Sequence, residues 1–288
     1  LHLSIRRQRQ MCIRDRLSGP TASGKSRLGL QLAKNLSKRI GQGRIFFCNS
    51  GAESSEVMIK LSRRYGQARG QFEIITAENS FHGRTLGALS LIGQDSYREP
   101  FSALLNDTTT VPYGDISAVE KVVNEKTAAV VIEPIQGEGG VNVPPAGYLA
   151  ELSEICHRQG ALLILDEIQT GIGRTGRWLG LEHDGAKPDI ITLGKGLGGG
   201  FPVAAFLCTE ELAHTASPGE HGGTYIGNPL AAVAANSVLE VIEKEQIVEN
   251  AERLGKIFSG EMDKLVNENL EYRTVGIKIL YNNFNYCL

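Results

Sequence analysis

Short apolar runs that end in polar or glycine-rich segments recur along the chain from residue 44 onward. They are Ile45 to Cys48, Phe72 to Thr76, Ala128 to Ile132, Ala161 to Leu165 and Ile190 to Leu193. Continuous apolar runs of this length are typical of strands that are buried on both faces of a parallel sheet. Val203 to Cys208 is a further strand, for which an antiparallel direction stays open. Because helical patterns separate the runs, the sequence predicts an α/β fold with a doubly wound, mostly parallel sheet.

Helices are predicted where apolar residues recur every three or four positions. Residues 28–40 carry leucine or isoleucine at every fourth position, which indicates an amphipathic helix before the first strand. A later helix, from about Ile247 to Val266, is predicted to direct Ala251, Leu254 and Phe258 inward.

Acidic and basic side chains follow two of the predicted strands. Asp166 and Glu167 come directly after one strand, and Lys195 follows the next between glycines. Ligands of parallel α/β sheets bind at the carboxyl ends of the strands. We therefore expect a carboxylate and a buried amine in one crevice at this edge of the sheet.

A helix start with an exposed backbone follows the first strand. Ser50 and Glu53 have the spacing of a capping box, so Gly51 and Ala52 lie at the helix N-terminus, where free N–H groups can bind an anion. An ordinary strand-to-helix turn is the alternative, and both remain open.

A second loop of interest follows the strand that ends at Thr76. Phe81, His82 and Arg84 could stack on a ring and bind a carboxylate. Alternatively, this is a surface loop in which Phe81 fills the core and Arg84 is solvated.

Composition indicates a soluble enzyme-sized chain. It has 288 residues, of which 41% are hydrophobic, enough for a sizeable core. The net charge of −2 argues against a nucleic-acid partner, and the absence of a polybasic stretch and of an apolar run as long as a membrane span argues against a membrane partner. Cys48, Cys156 and Cys208 lie in apolar segments without a CxxC spacing, as expected of buried thiols in a reducing, cytoplasmic compartment. No metal-binding residues are predicted.

A nucleotide-binding function is the alternative from another class. Gly19 to Ser26 (GPTASGKS) has the Walker A spacing, and Leu162 to Glu167 (LLILDE) reads as a Walker B strand. A P-loop needs a buried strand directly before it, whereas Arg14, Asp15 and Arg16 stand there. This favours an N-terminal segment, 1–27, that is foreign to the rest of the chain.

Several of these features together match the needs of pyridoxal phosphate. This cofactor requires an amine for a Schiff base, an anion site for its phosphate, a flat contact for its ring and a carboxylate for its pyridine nitrogen. Lys195, Gly51, Phe81 and Asp166 supply one group of each kind.

Six ordered motifs then carry a family resemblance. They are SGAE, FHGRT, EPIQGEGG, DEIQTGIGRTG, TLGKGLGGGFP and HGGTYIGNP. Over about Leu32 to Arg273 the chain resembles the class-III (ornithine-type) aminotransferases, most of all the acetylornithine branch. The resemblance implies the large domain of a pyridoxal-phosphate transferase of fold type I, over 28–268. It also implies that 269–288 begins a small domain that is truncated here.

The resemblance implies the following cofactor-binding residues: Gly51, Ala52, Phe81, Asp166, Glu167, Ile168, Gln169, Lys195 and Thr224. In that family Lys195 is the Schiff-base lysine and proton shuttle, and Asp166 pairs with the pyridine nitrogen. Phe81 and Ile168 pack on opposite ring faces, and Gln169 reaches the ring oxygen.

Three roles at the edges of the site are implied in the same way. Gly51 and Ala52 bind the phosphate, and Thr224 reaches the phosphate of a partner subunit, which implies a homodimer. Arg84 takes the α-carboxylate of an acylated ornithine, with Gly223 close by.

The implied reaction is transfer of an amino group to 2-oxoglutarate in arginine biosynthesis, which leaves a semialdehyde and forms glutamate. Glu138 resembles the residue that gates between the two substrates, and His82 favours the acetylornithine branch. A truncated chain that has lost activity is the remaining alternative.

Overall fold

The computed structural model describes residues 24–41, 43–101, 103–217 and 219–267. The predicted foreign N-terminus lies almost wholly outside this part, as does the predicted small-domain segment 269–288. The described part begins with a helix that includes the last residues of the Walker-like motif, Gly24 to Ser26.

Within the described ranges, seven strands form one sheet, in the order β1-β7-β6-β5-β4-β2-β3. They are β1 (Arg44–Cys48), β2 (Glu73–Ala77), β3 (Thr108–Val111), β4 (Thr127–Ile132), β5 (Leu162–Asp166), β6 (Ile190–Leu193) and β7 (Ala204–Cys208). Strand β7 runs antiparallel to both of its neighbours, while the pairs among β2 to β6 are parallel. The predicted doubly wound, mostly parallel α/β sheet is confirmed.

Helices connect the strands and cover both faces. They are α1 (Gly24–Ile40), α2 (Gly51–Gly66), α3 (Leu86–Ser90), α4 (Asp95–Arg98), α5 (Ile116–Val122), α6 (Tyr148–Gln159), α7 (Glu210–Ala213), α8 (Pro229–Lys244) and α9 (Ile247–Asn267). None of the helices in the described part of the chain is both long and apolar enough to cross a membrane.

The core lies on the two faces of the sheet. Successive residues of β5 alternate, so that Leu162 and Ile164 pack in the cluster that includes α2, whereas Leu163 and Leu165 pack in the cluster that includes α6. A third cluster joins α1 and α8 to β6 and β7. This two-sided burial explains why the strands read as continuous apolar runs.

Two sequence expectations about single elements are wrong or incomplete. Strand β3 was not predicted, because its edge position allows the run Thr108–Val111 to be mostly threonine. Leu254 on α9 is 45% exposed, so the prediction that it faces inward is wrong for this chain. The predicted buried thiols Cys48, Cys156 and Cys208 are confirmed as free and buried.

Candidate functional site

The predicted site motifs meet at the carboxyl edge, which we define as the sheet edge where the parallel strands end. Strands β5 and β6 are parallel neighbours, and Asp166 lies opposite Thr192 in their register. Lys195 follows at the start of a 3-10 turn. The Lys195 Nζ donates a hydrogen bond to Oε1 of Gln169, which lies three residues after the end of β5. Asp166 and Lys195 therefore converge at one edge, as expected.

Asp166 is nearly completely buried and is held by three hydrogen-bond donors. Its Oδ1 accepts from the Ile168 amide at 3.1 Å and from Thr192 Oγ1 at 3.0 Å. Its Oδ2 lies 2.7 Å from Nδ1 of His82. A carboxylate has about four acceptor positions. Asp166 therefore keeps about one acceptor position for a further donor.

A second buried carboxylate, Glu133, lies close enough to Asp166, His82 and Lys195 for their charges to act on it. It accepts a hydrogen bond from the Phe81 amide at 3.1 Å. Burial raises the pKa of Glu133 to about 7, although the charges of His82 and Lys195 oppose that rise. We call Asp166, His82, Glu133 and Thr192 the Asp166 cluster.

The His82 ring is fully enclosed within this cluster. Burial by itself lowers the pKa of His82, but the hydrogen bond and charge of Asp166, together with the charge of Glu133, reverse this, so the pKa is raised. The imidazole is thus stabilised in its protonated form by two carboxylates.

Helix α2 begins beside this cluster. Ser50 caps it by accepting from the Glu53 amide at 3.2 Å. The Glu53 carboxylate reaches back to the Asn49 amide at 2.7 Å, one residue before the cap, so the predicted capping box is shifted by one position. The first N–H groups of a helix have no partner within it. The Gly51 and Ala52 end of α2 is therefore able to bind an anion.

Ile168 connects the helix start to the segment that carries Lys195. A methyl group added at Gly51 would lie 2.8 Å from the Ile168 side chain, and one added at Gly194 would lie 3.3 Å from it. The absence of a side chain at Gly51 therefore lets Ile168 lie over the first turn of α2. Gly83 plays a similar part, because its left-handed backbone passes close to Ala52.

Phe81 and Arg84 form an aromatic and cationic group with Tyr97. The Phe81 and Tyr97 rings meet edge to face at 6.4 Å, and the Arg84 guanidinium lies 4.5 Å from the Tyr97 ring centroid. Phe81 is only half-buried and Arg84 is exposed. The interpretation of Phe81 as a core residue is therefore less suitable than one in which its ring is available at the surface of the site.

Gln169 contacts both Lys195 and the loop that contains Glu138. A methyl group at Gly137 would overlap the Gln169 side chain, so the two segments are in close contact. The loop is held in shape by a bridge between Gln136 and Asn142, and Glu138 is exposed at its tip. Glu138 is thus placed next to the Lys195 side of the site.

The Glu167 carboxylate is hydrogen-bonded to the chain around it and is not directed into the site. Its two oxygens accept hydrogen bonds from Thr170 Oγ1, the Gly180 amide at 2.9 Å and the Leu181 amide at 2.8 Å. Neighbouring residues of an extended segment point to opposite sides, which directs Glu167 away from the side of Asp166. The geometry assigns this carboxylate to holding the segment after β5.

Three further residues that were expected at the site, Lys195, Gly223 and Thr224, are exposed. The Lys195 side chain is exposed, so the expectation of a buried amine is wrong for the chain by itself. Gly223 and Thr224 are exposed in the loop before α8, and the Asp166 cluster is built without them.

Sequence reasoning overlooked two members of the Asp166 cluster, Glu133 and Thr192, as parts of the site. Glu133 follows an entirely buried strand, which is the same signal that identified Asp166. Thr192 is the one polar residue in the run Ile190 to Leu193. The third member, His82, is a candidate site residue in the sequence, but its contact with Asp166 is not predicted there. The described residues include no group of three or more His, Cys, Asp or Glu placed to hold a metal ion.

The donor set at the carboxyl edge suits a phosphorylated pyridine aldehyde. It combines an amine, a buried carboxylate with a remaining acceptor position, a helix N-terminus and an aromatic ring. Comparison with known proteins agrees. Residues 23–277 match the family Aminotransferase class-III. The chain belongs to the class-III aminotransferases, and this membership indicates pyridoxal 5′-phosphate as the cofactor.

Curated relatives are named acetylornithine aminotransferase. The one from Mycolicibacterium smegmatis is 48% identical over 238 residues, which cover 82% of this chain and 60% of that relative. The one from Methanopyrus kandleri is 50% identical over 214 residues, with 74% and 54% covered. The chain thus spans somewhat more than half the length of these relatives.

Solved structures of aminotransferases share the fold. The ornithine aminotransferase from Toxoplasma gondii superposes with a TM-score of 0.80 at 33% identity, over 90% of this chain and 62% of that one. An aminotransferase from Bacillus anthracis gives a TM-score of 0.81 at 27% identity, over 93% and 66%. The predicted fold type I is confirmed. None of these matches supports the nucleotide-binding alternative.

Proposed function

We propose that the chain is the cofactor-binding part of a pyridoxal-phosphate aminotransferase that takes the δ-amino group of N-acetylornithine, or of a related N-acylated diamino acid. The acceptor in this proposal is 2-oxoglutarate, which becomes glutamate, and the reaction belongs to arginine biosynthesis. The observation that carries the proposal is the convergence of Asp166 and Lys195 from parallel neighbouring strands. The names of the curated relatives support the choice of donor.

The chain's own residues divide the work of holding the cofactor. Gly51 and Ala52 at the start of α2 would bind the phosphate, and Asp166 would accept a hydrogen bond from the pyridine nitrogen. The bound cofactor supplies an electron sink for the carbon that loses its proton. Phe81 and Ile168 would enclose the ring and exclude water, and Gln169 would reach the ring oxygen.

Lys195 would serve as the general base and acid. Its Nζ would remove a proton from the amino donor and later return it. The lysine amine can accept this proton because the amino donor has by then replaced it on the cofactor. The neighbouring Gln169 Oε1 accepts from Nζ and thereby orients the amine towards the site.

Substrate selection would fall to residues around the opening of the site. Arg84 would bind the α-carboxylate of the donor, because a guanidinium matches a carboxylate with two parallel hydrogen bonds. Glu138 would distinguish the two substrates by its charge, and Gly223 would lie near the substrate.

The proposed assembly is a cytoplasmic homodimer in which Thr224 reaches the partner subunit's cofactor phosphate. Exposure of Thr224 and of the adjacent Tyr225, which is 73% exposed, supports a surface that another subunit covers. The proposed domain division keeps 28–268 as the cofactor-binding domain and 269–288 as the start of a small domain.

An absorbance titration of the chain with pyridoxal phosphate tests the proposal. We expect a new visible band that is lost in Lys195→Ala and kept in Lys187→Ala, a control at an exposed lysine in the loop before β6. A band that survives in Lys195→Ala would overturn the proposal. Nucleotide binding that is lost in Lys25→Ala would support the alternative function instead.

A substrate panel then tests the finer part. Glutamate formation is measured with acetylated, succinylated and free ornithine and lysine, on a version of the protein extended to the length of its relatives. We expect acylated ornithine to react fastest. A preference for free ornithine would contradict the proposed donor.

A further inference from the structure

The imidazole of His82 occupies the inner side of the Asp166 carboxylate. The 2.7 Å contact joins Nδ1 to Oδ2, and the His82 side chain has no exposed surface. Oδ1 is already held by Ile168 and Thr192. Since His82 takes one acceptor position on Oδ2, it determines which acceptor position of Asp166 remains for the cofactor. Because it concerns cofactor binding, this inference rests on the proposed function.

The second ring nitrogen of His82, Nε2, faces the Thr76 hydroxyl. Thr76 Oγ1 lies 3.4 Å from Nε2 and donates to the Leu91 carbonyl at 2.8 Å. Ser80 Oγ donates to the same carbonyl at 2.9 Å. Ser80 Oγ also lies 3.1 Å from Thr76 Oγ1. When Thr76 donates to Leu91, its oxygen presents a lone pair to Nε2, and this arrangement suits a ring that is protonated at both nitrogens.

The surroundings also stabilise a positive charge on His82. Asp166 contacts the ring directly, and the charge of Glu133 acts on it from the end of β4. Glu133 in turn accepts from the Phe81 amide, next to His82 in the chain. The ring-stacking residue and the pyridine partner are thus connected through one buried imidazole.

We propose that His82 is a buried imidazolium that acts as the positioning residue for Asp166, and thereby aims the free acceptor position of that carboxylate at the pyridine nitrogen. His82 does not touch the reacting atoms. It binds the Asp166 carboxylate on its buried side, and its positive charge balances the negative charge of Asp166. A neutral residue in its place would leave Asp166 less well oriented and change the protonation of the cofactor ring.

Nuclear magnetic resonance of the ring nitrogens tests the charge in the protein without cofactor. The chain is labelled with ¹⁵N-histidine, and the signal that disappears in His82→Asn is assigned to His82. We expect both ring nitrogens to carry a proton at neutral pH. A ring with one unprotonated nitrogen at neutral pH would overturn the imidazolium.

Cofactor titrations of variants test the positioning role. We expect His82→Leu to raise the dissociation constant for pyridoxal phosphate about tenfold or more, and to shift the pH at which the bound cofactor's absorbance changes. His82→Asn retains a donor near the Nδ1 position and should bind more tightly than the leucine variant while showing the same kind of pH shift. The control His157→Asn alters a half-exposed histidine 3.6 Å from Asp189 and should leave both values unchanged.

The outcomes separate the inference from the proposed function. A purely structural role would lower the unfolding temperature of the His82 variants and leave the pH profile of the cofactor unchanged, which would overturn the inference. If His82→Leu fails to fold, an unchanged pH profile in His82→Asn has the same meaning. If the parent chain shows no Lys195-dependent band, the proposed function fails, while the resonance measurement still decides the charge of His82.

Discussion

Asp166 and Thr224 differ in how much of their environment the described chain provides. Asp166 is buried, with three hydrogen-bond donors from its own chain. Thr224 is exposed in the loop before α8. Under the proposed function, the pyridine-binding side of the site is held by residues of one chain, whereas the phosphate side would also receive Thr224 from a second subunit. Changes on the first side should therefore affect stability, and changes on the second only binding.

The largest effect is expected at Asp166. Asp166→Ala would leave the enclosed His82 ring without its carboxylate, and removal of one partner of a buried pair costs about 3–5 kcal/mol. We expect the free energy of unfolding in urea to fall by this amount, and Asp166→Asn to cost less because an amide oxygen can still accept from Ile168 and Thr192. A loss below about 1 kcal/mol in Asp166→Ala would contradict a tightly built cluster.

Stability should fall as the pH rises. Burial raises the pKa of Glu133 and of Glu167 from 4.5 to about 7. Because the folded state holds these protons more tightly, the stability contribution is complete below the unfolded pKa and is lost as the pH rises to about 7. The loss is at most about 3 kcal/mol for each carboxyl, and the raised pKa of His82 acts in the same direction.

Urea unfolding between about pH 5 and pH 8 measures this dependence. Glu133→Gln should make the curve flatter, since it removes one of the two titrating carboxyls. A free energy of unfolding that rises over the same interval would show that these carboxyls do not control stability there.

The two buried glutamates should respond differently to loss of charge. Glu167 receives three donors, and a glutamine there would turn its amide towards a backbone N–H, at a cost of about 1–3 kcal/mol. Among the described residues, the Glu133 side chain accepts a hydrogen bond only from the Phe81 amide, and a glutamine oxygen can accept the same bond. We expect Glu167→Gln to unfold at lower urea than Glu133→Gln at neutral pH. The reverse order would contradict the assignment of Glu167 to holding the chain.

The smallest change in stability is expected at Thr224. Thr224→Val should change the free energy of unfolding by less than about 0.5 kcal/mol, because the side chain is exposed. It should raise the dissociation constant for pyridoxal phosphate about tenfold, through loss of one hydrogen bond to the phosphate. Thr109→Val, at an exposed threonine on edge strand β3, is the matched control. Equal affinity in both variants would remove the support for a shared site.

Much of the frame of the site could be predicted from sequence, because it depends on local patterns. Apolar runs located β5 and β6 to within one residue, and parallel pairing then placed Asp166 and Lys195 at one edge. The start of α2 followed from Ser50, since helix capping is a short-range signal.

The inner support of the site could not be predicted in this way. His82 and Asp166 are 84 residues apart, and their contact depends on where the loop after β2 crosses the end of β5. The spacing of residues along the sequence does not show where that loop crosses.

A crystal structure of the chain with bound pyridoxal phosphate tests the central claim most directly. We predict that one cofactor is bonded to Lys195 Nζ while its pyridine nitrogen lies within about 3 Å of the Asp166 carboxylate. A cofactor bonded to Lys195 with its pyridine nitrogen directed away from Asp166, or one bound elsewhere on the chain, would contradict the claim.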